Sequence, residues 1–337
     1  MSKKLLYIGN NTSKKTQYGS SILLLSQLLQ KENYQVSISS AQQNIILRML
    51  DMCLAIIKKR KELDYIIIDT FSSLNFYSAV ITSQLARILK IPYVPMLRGG
   101  DLPNRLDRSK ALSNRVFLNS HINVAPSNYL KMAFEKRGYQ TVLAPNILTI
   151  EDYTYKKRNS IKPKLLWVRA FKELYNPLLA VEVLNLVKEE FPKAELTMIG
   201  PVKDGSENAV RERIEHLKLS DSVTIFGVMP KKEWHKKSEE FDIFINTTNF
   251  DNTPNSIIEA MALGLTIVST NVGGMPYLIE DGVEGRLVDK ENPQQMAEAI
   301  VDILKNNETN FAQNARKKAE SFSWEEVKKS WFKILSE

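Results

Sequence analysis

Apolar residues along this chain alternate between two periods. Short continuous apolar runs at 5–8, 34–39, 64–69, 92–97 and 122–127 read as buried strands. Between them, 20–31, 43–60, 75–90 and 128–137 carry apolar residues at helical spacing. This β–loop–α–β opening is the unit of a parallel sheet. Residues 149–163 interrupt the alternation. Positions 151–160 are polar and aperiodic, which predicts a linker over 151–163. The pattern then resumes, with strands expected at 165–168, 195–199, 223–226, 242–246, 265–269 and 285–288. Helices are expected at 178–190, 211–217, 231–238, 256–263, 293–305 and 308–320, and 324–335 reads as a closing amphipathic helix. Two βα halves predict an α/β fold of two Rossmann-like doubly wound domains. Ligands of such sheets bind outside the carboxyl ends of the strands, so a cleft between the domains is the expected site.

Composition narrows the partners. The 337 residues are 43% hydrophobic and 25% charged, values of a globular chain and not of a disordered or fibrous one. Cys53 is the only cysteine, which excludes an intramolecular disulfide and fits a reducing cytoplasm. It lies in an apolar helical stretch, so a buried thiol is expected there and not a nucleophile. His121, His216 and His235 have no metal-ligand spacing, and no metal site is expected. No apolar run is long enough to span a bilayer, and the start is too short for a signal peptide. A cytoplasmic protein is therefore expected, peripheral on the inner face of a membrane if it touches one. Charge is uneven. Residues 1–155 hold 20 Lys or Arg and 10 Asp or Glu, whereas 156–337 hold 26 and 28. The first half thus has all of the positive excess. An anionic partner explains this, and so does a solubility surplus of Lys-rich helices. Nucleic acid is not expected, since no recognised module or aromatic–basic interleaving accompanies the charge.

Candidate chemistry concentrates in 246–264, Asn-Thr-Thr-Asn-Phe-Asp-Asn-Thr-Pro-Asn-Ser-Ile-Ile-Glu-Ala-Met-Ala-Leu-Gly. It runs from a strand end through a polar loop into a helix. Ser256 is expected to cap that helix, with Glu259 completing a capping box. The same helix start presents N–H groups suited to a diphosphate. Asp251 and Glu259 bracket the unit, and carboxylates accept well from sugar hydroxyls.

Asp251-x7-Glu259 followed by Ala260-Met261-Ala262-Leu263-Gly264 resembles the acidic-x7-acidic motif of the retaining glycosyltransferases of family 4, of GT-B fold. Val223-Thr224-Ile225-Phe226-Gly227, the Asn271-Val272-Gly273-Gly274 turn and 279–288 stand in the family's order around it. Val124-Ala125-Pro126-Ser127 and Ala144-Pro145-Asn146 match in the first half. The resemblance is strongest over 165–305 and weak over 1–120. It implies an acceptor-side domain over 1–150, a nucleotide-sugar-binding domain over 164–320, and a helix over 321–337 that returns to the first domain. It implies that Glu259 binds the donor ribose and that Asp251, Glu in most members, contacts the donor sugar near its reacting centre. Backbone of Asn252 and Thr253 would hold sugar hydroxyls, and Asn255 and Ser256 would sit on the diphosphate. Val228 and Met229 would meet the base, and Arg169 would bind phosphate. Gly200, at a strand end, and Gly19, where backbone could approach the phosphates or the acceptor, complete the donor set. A fixed cation suits a leaving group whose charge grows in the transition state. No metal and no cofactor beyond a nucleotide diphosphate sugar as co-substrate is then needed. The implied reaction moves sugar from a UDP- or GDP-sugar to the hydroxyl of a glycan or lipid-linked acceptor. Retention by front-face displacement is expected, in bacterial-type polysaccharide, lipopolysaccharide or glycolipid assembly, with 149–163 as the hinge of domain closure.

Three positions depart from the family pattern. Val168 precedes Arg169 where Gly is usual, Tyr175-Asn176-Pro177 stands where a Lys-Gly pair is usual, and Arg98 stands where a His is common. An Arg cannot act as a base, but it forks onto carboxylate or phosphate. Arg98, Gly99 and Asp101 are therefore expected to recognise the donor sugar or an anionic acceptor; a local Arg98–Asp101 surface pair is the alternative. Lys58-Lys59-Arg60-Lys61 with Arg105, Arg108, Lys110 and Arg115 are candidates for an anionic acceptor at a membrane face. Two rival functions share the fold: a nucleotide-sugar epimerase and a non-catalytic nucleotide-sugar-binding module.

Overall fold

The structure, a computed structural model, describes residues 2–9, 21–39, 42 and 44–336. Gly19 lies outside the described residues. The chain forms two compact units, one of Met1–Ile147 with Trp324–Glu337 and one of Leu148–Ser323.

The first unit is built on a six-stranded sheet of β1 (Lys4–Ile8), β2 (Gln35–Ser39), β3 (Tyr65–Thr70), β4 (Tyr93–Leu97), β5 (Asn123–Ala125) and β6 (Thr141–Leu143). Its order is β2-β1-β3-β4-β5-β6, and every pairing is parallel. β3 and β4 are near-continuous Ile, Val, Leu and Tyr because helices cover both faces of a parallel sheet. Helices Ser21–Lys31, Ile45–Lys59, Asn75–Ile88 and Asn128–Glu135 lie where the apolar spacing places them. Helices Leu102–Arg108 and Lys110–Phe117 have no counterpart in that reading. Each is short and buries only two or three side chains, too few to set a period. The closing helix Trp324–Ser336 is part of this unit. Val327, Trp331, Ile334 and Leu335 bury against Leu5, Tyr7, Ile22 and Leu25, at roughly 2 kcal/mol for each large side chain removed from water.

The second unit carries β7 (Lys164–Val168), β8 (Glu195–Ile199), β9 (Val223–Phe226), β10 (Ile243–Asn246), β11 (Thr266–Thr270) and β12 (Gly285–Val288). The order is β12-β11-β10-β7-β8-β9, again all parallel. Residues 151–163 are not a free linker but part of this unit. Arg158 is buried and donates to the carbonyls of Phe241 (2.6 Å) and Gly264 (2.6 Å) and to Asp242 Oδ1 (2.9 Å). A polar run reads as exposed, whereas here one of its cations is a buried strut.

Both sheets reverse winding direction at one point. In the first unit the switch lies between β1 and β3, and in the second between β10 and β7. Loops that leave neighbouring strands in opposite directions open a crevice there.

Candidate functional site

The second unit's switch is flanked by the loops after β7 and β10. β7 ends at Val168, and the next residue, Arg169, donates its N–H to the Ile199 carbonyl (3.0 Å). Gly200 makes this approach possible, since a Cβ there would overlap the Arg169 carbonyl. The Arg169 guanidinium lies over the Tyr175 ring, 4.3 Å from its centroid, and forms an ion pair with Asp251. Burial pulls this guanidinium below its ordinary value, and Tyr175 opposes that shift. Thus Tyr175-Asn176-Pro177 puts an aromatic ring against Arg169 where the family pattern has a Lys.

Buried hydroxyls fix the loop after β10. Thr247 accepts from the Trp167 indole (3.0 Å) and donates to the Tyr175 carbonyl (2.9 Å), and Thr270 donates to the Thr248 carbonyl (2.6 Å). Asp251 Oδ1 accepts from the Asn252 N–H (2.7 Å). The Gly273–Gly274 turn packs directly on this backbone. Gly273 has φ +54°, and a Cβ at Gly273 or Gly274 would overlap the carbonyl of Asp251 or Asn252. The loop bearing the acidic pair is therefore shaped by glycines on a neighbouring loop.

The helix after this loop spans Asn255–Ala262 with Pro254 at its N-cap, so the expected Ser256 capping box does not form. Ser256 lies inside the first turn, and its Oγ is buried without a hydrogen-bond partner among the described residues, as is Thr253 Oγ1. The helix thus begins two residues earlier than the sequence reading has it, because Pro254 itself adopts the extended capping conformation. The first N–H groups of a helix lack intrahelical partners, so those of Asn255 and Ser256 are available with the two hydroxyls.

Glu259 stands one turn further. Its carboxylate meets Lys231 Nζ (2.7 Å), Tyr153 Oη (3.1 Å) and His235 Nε2 (3.8 Å). Burial alone would raise this carboxyl. His235 and Lys231 more than offset burial, and the group lies below its ordinary value. Burial, with Glu259 beside it, pushes the Tyr153 phenol well up. The His235 ring packs between Tyr153 (4.7 Å) and Trp234 (4.5 Å). Sequence reasoning did not select Tyr153, Lys231 or His235. The available signal was Lys231 and His235 at i, i+4 on one helix; Tyr153 was hidden in the polar run. Val228 and Met229 follow β9, the first exposed and the second partly buried against the core.

The first unit treats its candidates differently. Arg98, just after β4, donates to Asp69 Oδ1 (3.0 Å), Tyr7 Oη (2.9 Å) and Asn146 Oδ1 (3.0 Å). The Arg98 and Asp69 side chains are only 11% and 6% exposed. Burial, with Asp69 adding to it against Arg98, pushes the Tyr7 phenol far up. Arg98 does not meet Asp101, so the local surface pair is not formed and the two side chains have separate partners. Asp101 instead pairs outward with Arg108 (2.8 Å) and accepts from Asn104 (2.5 Å). Gly99 packs against Ser72, where a Cβ would lie 2.9 Å from its backbone nitrogen. Arg105 is likewise occupied, donating to the Ser72 carbonyl (2.9 Å) over the Phe76 ring.

Comparison with known proteins gives a family match that lies within the second unit. The family described as Glycosyl transferases group 1 matches residues 153–321. Spore coat protein SA of Bacillus subtilis (strain 168) is 30% identical over 176 residues, covering 49% of this chain and 46% of that protein. Poly(glycerol-phosphate) alpha-glucosyltransferase of the same organism is 27% identical over 183 residues, 53% of this chain and 26% of that protein. The chain thus spans less than half the length of these curated relatives. The crystal structure of Anabaena HepE in complex with UDP superposes over 100% of both chains with a TM-score of 0.75 at 17% identity, a likeness of fold. Two parallel six-stranded sheets, each flanked by helices, make that fold GT-B. The family match takes in β7 to β12, the Asp251 loop and the helix that bears Glu259, and with it the chain belongs to the glycosyl transferases group 1 family.

Proposed function

We propose that this protein transfers a sugar from a nucleotide diphosphate sugar to an acceptor hydroxyl with retention of anomeric configuration. The observation that carries this reading is the single loop–helix unit at the β10/β7 switch. It brings together Asp251 paired with Arg169, two buried hydroxyls at Thr253 and Ser256, and the start of the Asn255–Ala262 helix. A helix start and a guanidinium are suited to a diphosphate, whose charge grows as it leaves. Solved structures of this fold described with UDP or with UDP-glucose support a uridine donor.

In this reading the sugar C1–O bond to the diphosphate breaks while the acceptor oxygen bonds C1 from the same face. The acceptor proton passes to the departing phosphate oxygen. Arg169 and the helix N–H groups neutralise that phosphate, and Asp251 orients the sugar. Glu259, held by Tyr153, Lys231 and His235, accepts from the ribose hydroxyls. The test is a transfer assay on candidate donors with the product anomer read by NMR. A released nucleotide and a product of the donor's anomeric form support the reading. An inverted product removes the retention claim, and a sugar epimer formed without acceptor replaces transfer altogether.

A further inference from the structure

The helix Ile45–Lys59 carries apolar residues on both its buried and its exposed face. Its buried residues are Arg48, Met52 and Ile56. Arg48 donates inward to Asn75 Oδ1 (3.0 Å), and Asp51 accepts from Ser39 (3.1 Å). Its outward face instead carries Ile46, Leu47, Leu50, Leu54 and Ile57, all exposed, with Ile46 at 64%. That spacing is one stripe along a helix. A helix that is apolar all round is ordinarily covered all round.

The next helix, Asn75–Ile88, shares its core through Met52, Ile56, Ala79 and Ala86. It too turns apolar residues outward: Tyr77, Ile81 and Ile88, with Leu74 at its N-cap. Patches of this kind mark interaction sites. Exposed cations gather at the carboxyl ends of both helices: Lys58, Lys59, Arg60 and Lys61 on one, Arg87 and Lys90 on the other. An apolar stripe bordered by cations is the composition of a helix lying in the headgroup region of a bilayer. Lysine is depleted in protein–protein interfaces, which makes a basic run at the edge of this face a poor fit to a protein partner.

We propose that this face of the first unit docks on an anionic lipid bilayer, the Leu50–Leu54–Ile57 stripe entering the headgroup boundary and the 58–61 run meeting lipid phosphates. The inference stands on the first unit alone. Combined with the transfer reading, it assigns the acceptor to the lipid surface.

The test is co-sedimentation of the full chain with phosphatidylcholine vesicles, with and without phosphatidylglycerol, at low and raised salt. We expect binding to the phosphatidylglycerol vesicles, weakening as salt rises. Each surface cation is worth about fivefold in affinity, so Lys58→Gln/Arg60→Gln/Lys61→Gln should lose on the order of a hundredfold. Leu50→Gln/Leu54→Gln/Ile57→Gln should lose the binding that persists at raised salt. The substituted positions are exposed, and an unchanged melting temperature for each variant confirms an intact fold. No binding of the native chain to phosphatidylglycerol vesicles, or native-level binding by both variants, overturns the proposal. So does a dimer in light scattering that the Leu50/Leu54/Ile57 variant abolishes while vesicles are ignored. A UDP-induced thermal shift measured on the same samples keeps failure of docking separate from failure of the donor reading.

Discussion

At the β1/β3 switch the first unit closes Tyr7, Asp69, Arg98 and Asn146 on one another. At the β10/β7 switch the second unit instead lines a loop with an ion pair, unpartnered hydroxyls and a helix start. The sheets have the same number of parallel strands and the same kind of winding reversal. What differs is where polar groups find their partners. A buried cation whose hydrogen bonds go to its own unit contributes stability, whereas donors at a helix start are available to a ligand.

This contrast is sharpest at the two arginines. Arg98→Ala leaves Asp69 buried beside Tyr7 without its cation. We expect a loss of about 3–5 kcal/mol in urea unfolding, the cost of orphaning a buried charge. A loss below about 1 kcal/mol would mean that the network is not structural. Arg169→Ala should do the reverse. We expect turnover to fall by about 10²–10³-fold, as for removal of one group that stabilises transition-state charge, with a smaller loss in urea unfolding than for Arg98→Ala because the Arg169–Asp251 pair is the more exposed of the two. If Arg169→Ala unfolds the protein and Arg98→Ala only slows it, the assignment of the two units is inverted.

Smaller effects probe the loop itself. Gly273→Ala places a side chain in the left-handed region and against the Asp251 carbonyl. A cost of about 1–3 kcal/mol is expected, with a raised donor Michaelis constant because the Asp251 loop must shift. A variant with native stability and kinetics would show that the turn does not shape the site. The smallest effect concerns Glu259. Its carboxyl is lowered in the folded chain, so the stability it lends is complete above the ordinary carboxylate value near 4.3 and is lost as pH falls through the lower folded value. Glu259→Gln should therefore flatten the acid side of the stability curve while leaving its shape above pH ~5 unchanged. A parallel displacement of the whole curve would show that Lys231 and His235 do not act through that charge.

The parallel sheets and most crossover helices were legible because buried strands and amphipathic helices leave periods in the sequence. The short helices Leu102–Arg108 and Lys110–Phe117 left none. The acidic pair and the loop–helix unit that bears it were legible because they are local, within ten residues of one another, but the helix start itself lies at Pro254 and not at Ser256. The partners of Arg98 are not legible locally because they are far along the chain. Tyr7 and Asp69 meet it only once β1, β3 and β4 lie side by side, and Asn146 arrives from beyond β6. Tyr153, Lys231 and His235 escaped for the same reason, since Tyr153 reaches Glu259 across more than a hundred residues. The outward apolar stripe of Ile45–Lys59 was visible as apolar content, but which face is covered is a property of the packed sheet. Cys53 on that helix, expected to be buried, is only partly so.

The most direct measurement is a calorimetric titration of UDP and GDP into the native chain, Arg169→Ala and the conservative Arg98→Lys. We expect one of the two nucleotides to bind the native chain, stabilising it by about 2.7 kcal/mol at 100 times its dissociation constant. Binding should weaken sharply in Arg169→Ala and persist in Arg98→Lys. Heat from neither nucleotide, or native affinity in Arg169→Ala, would contradict a diphosphate site at the β10/β7 switch.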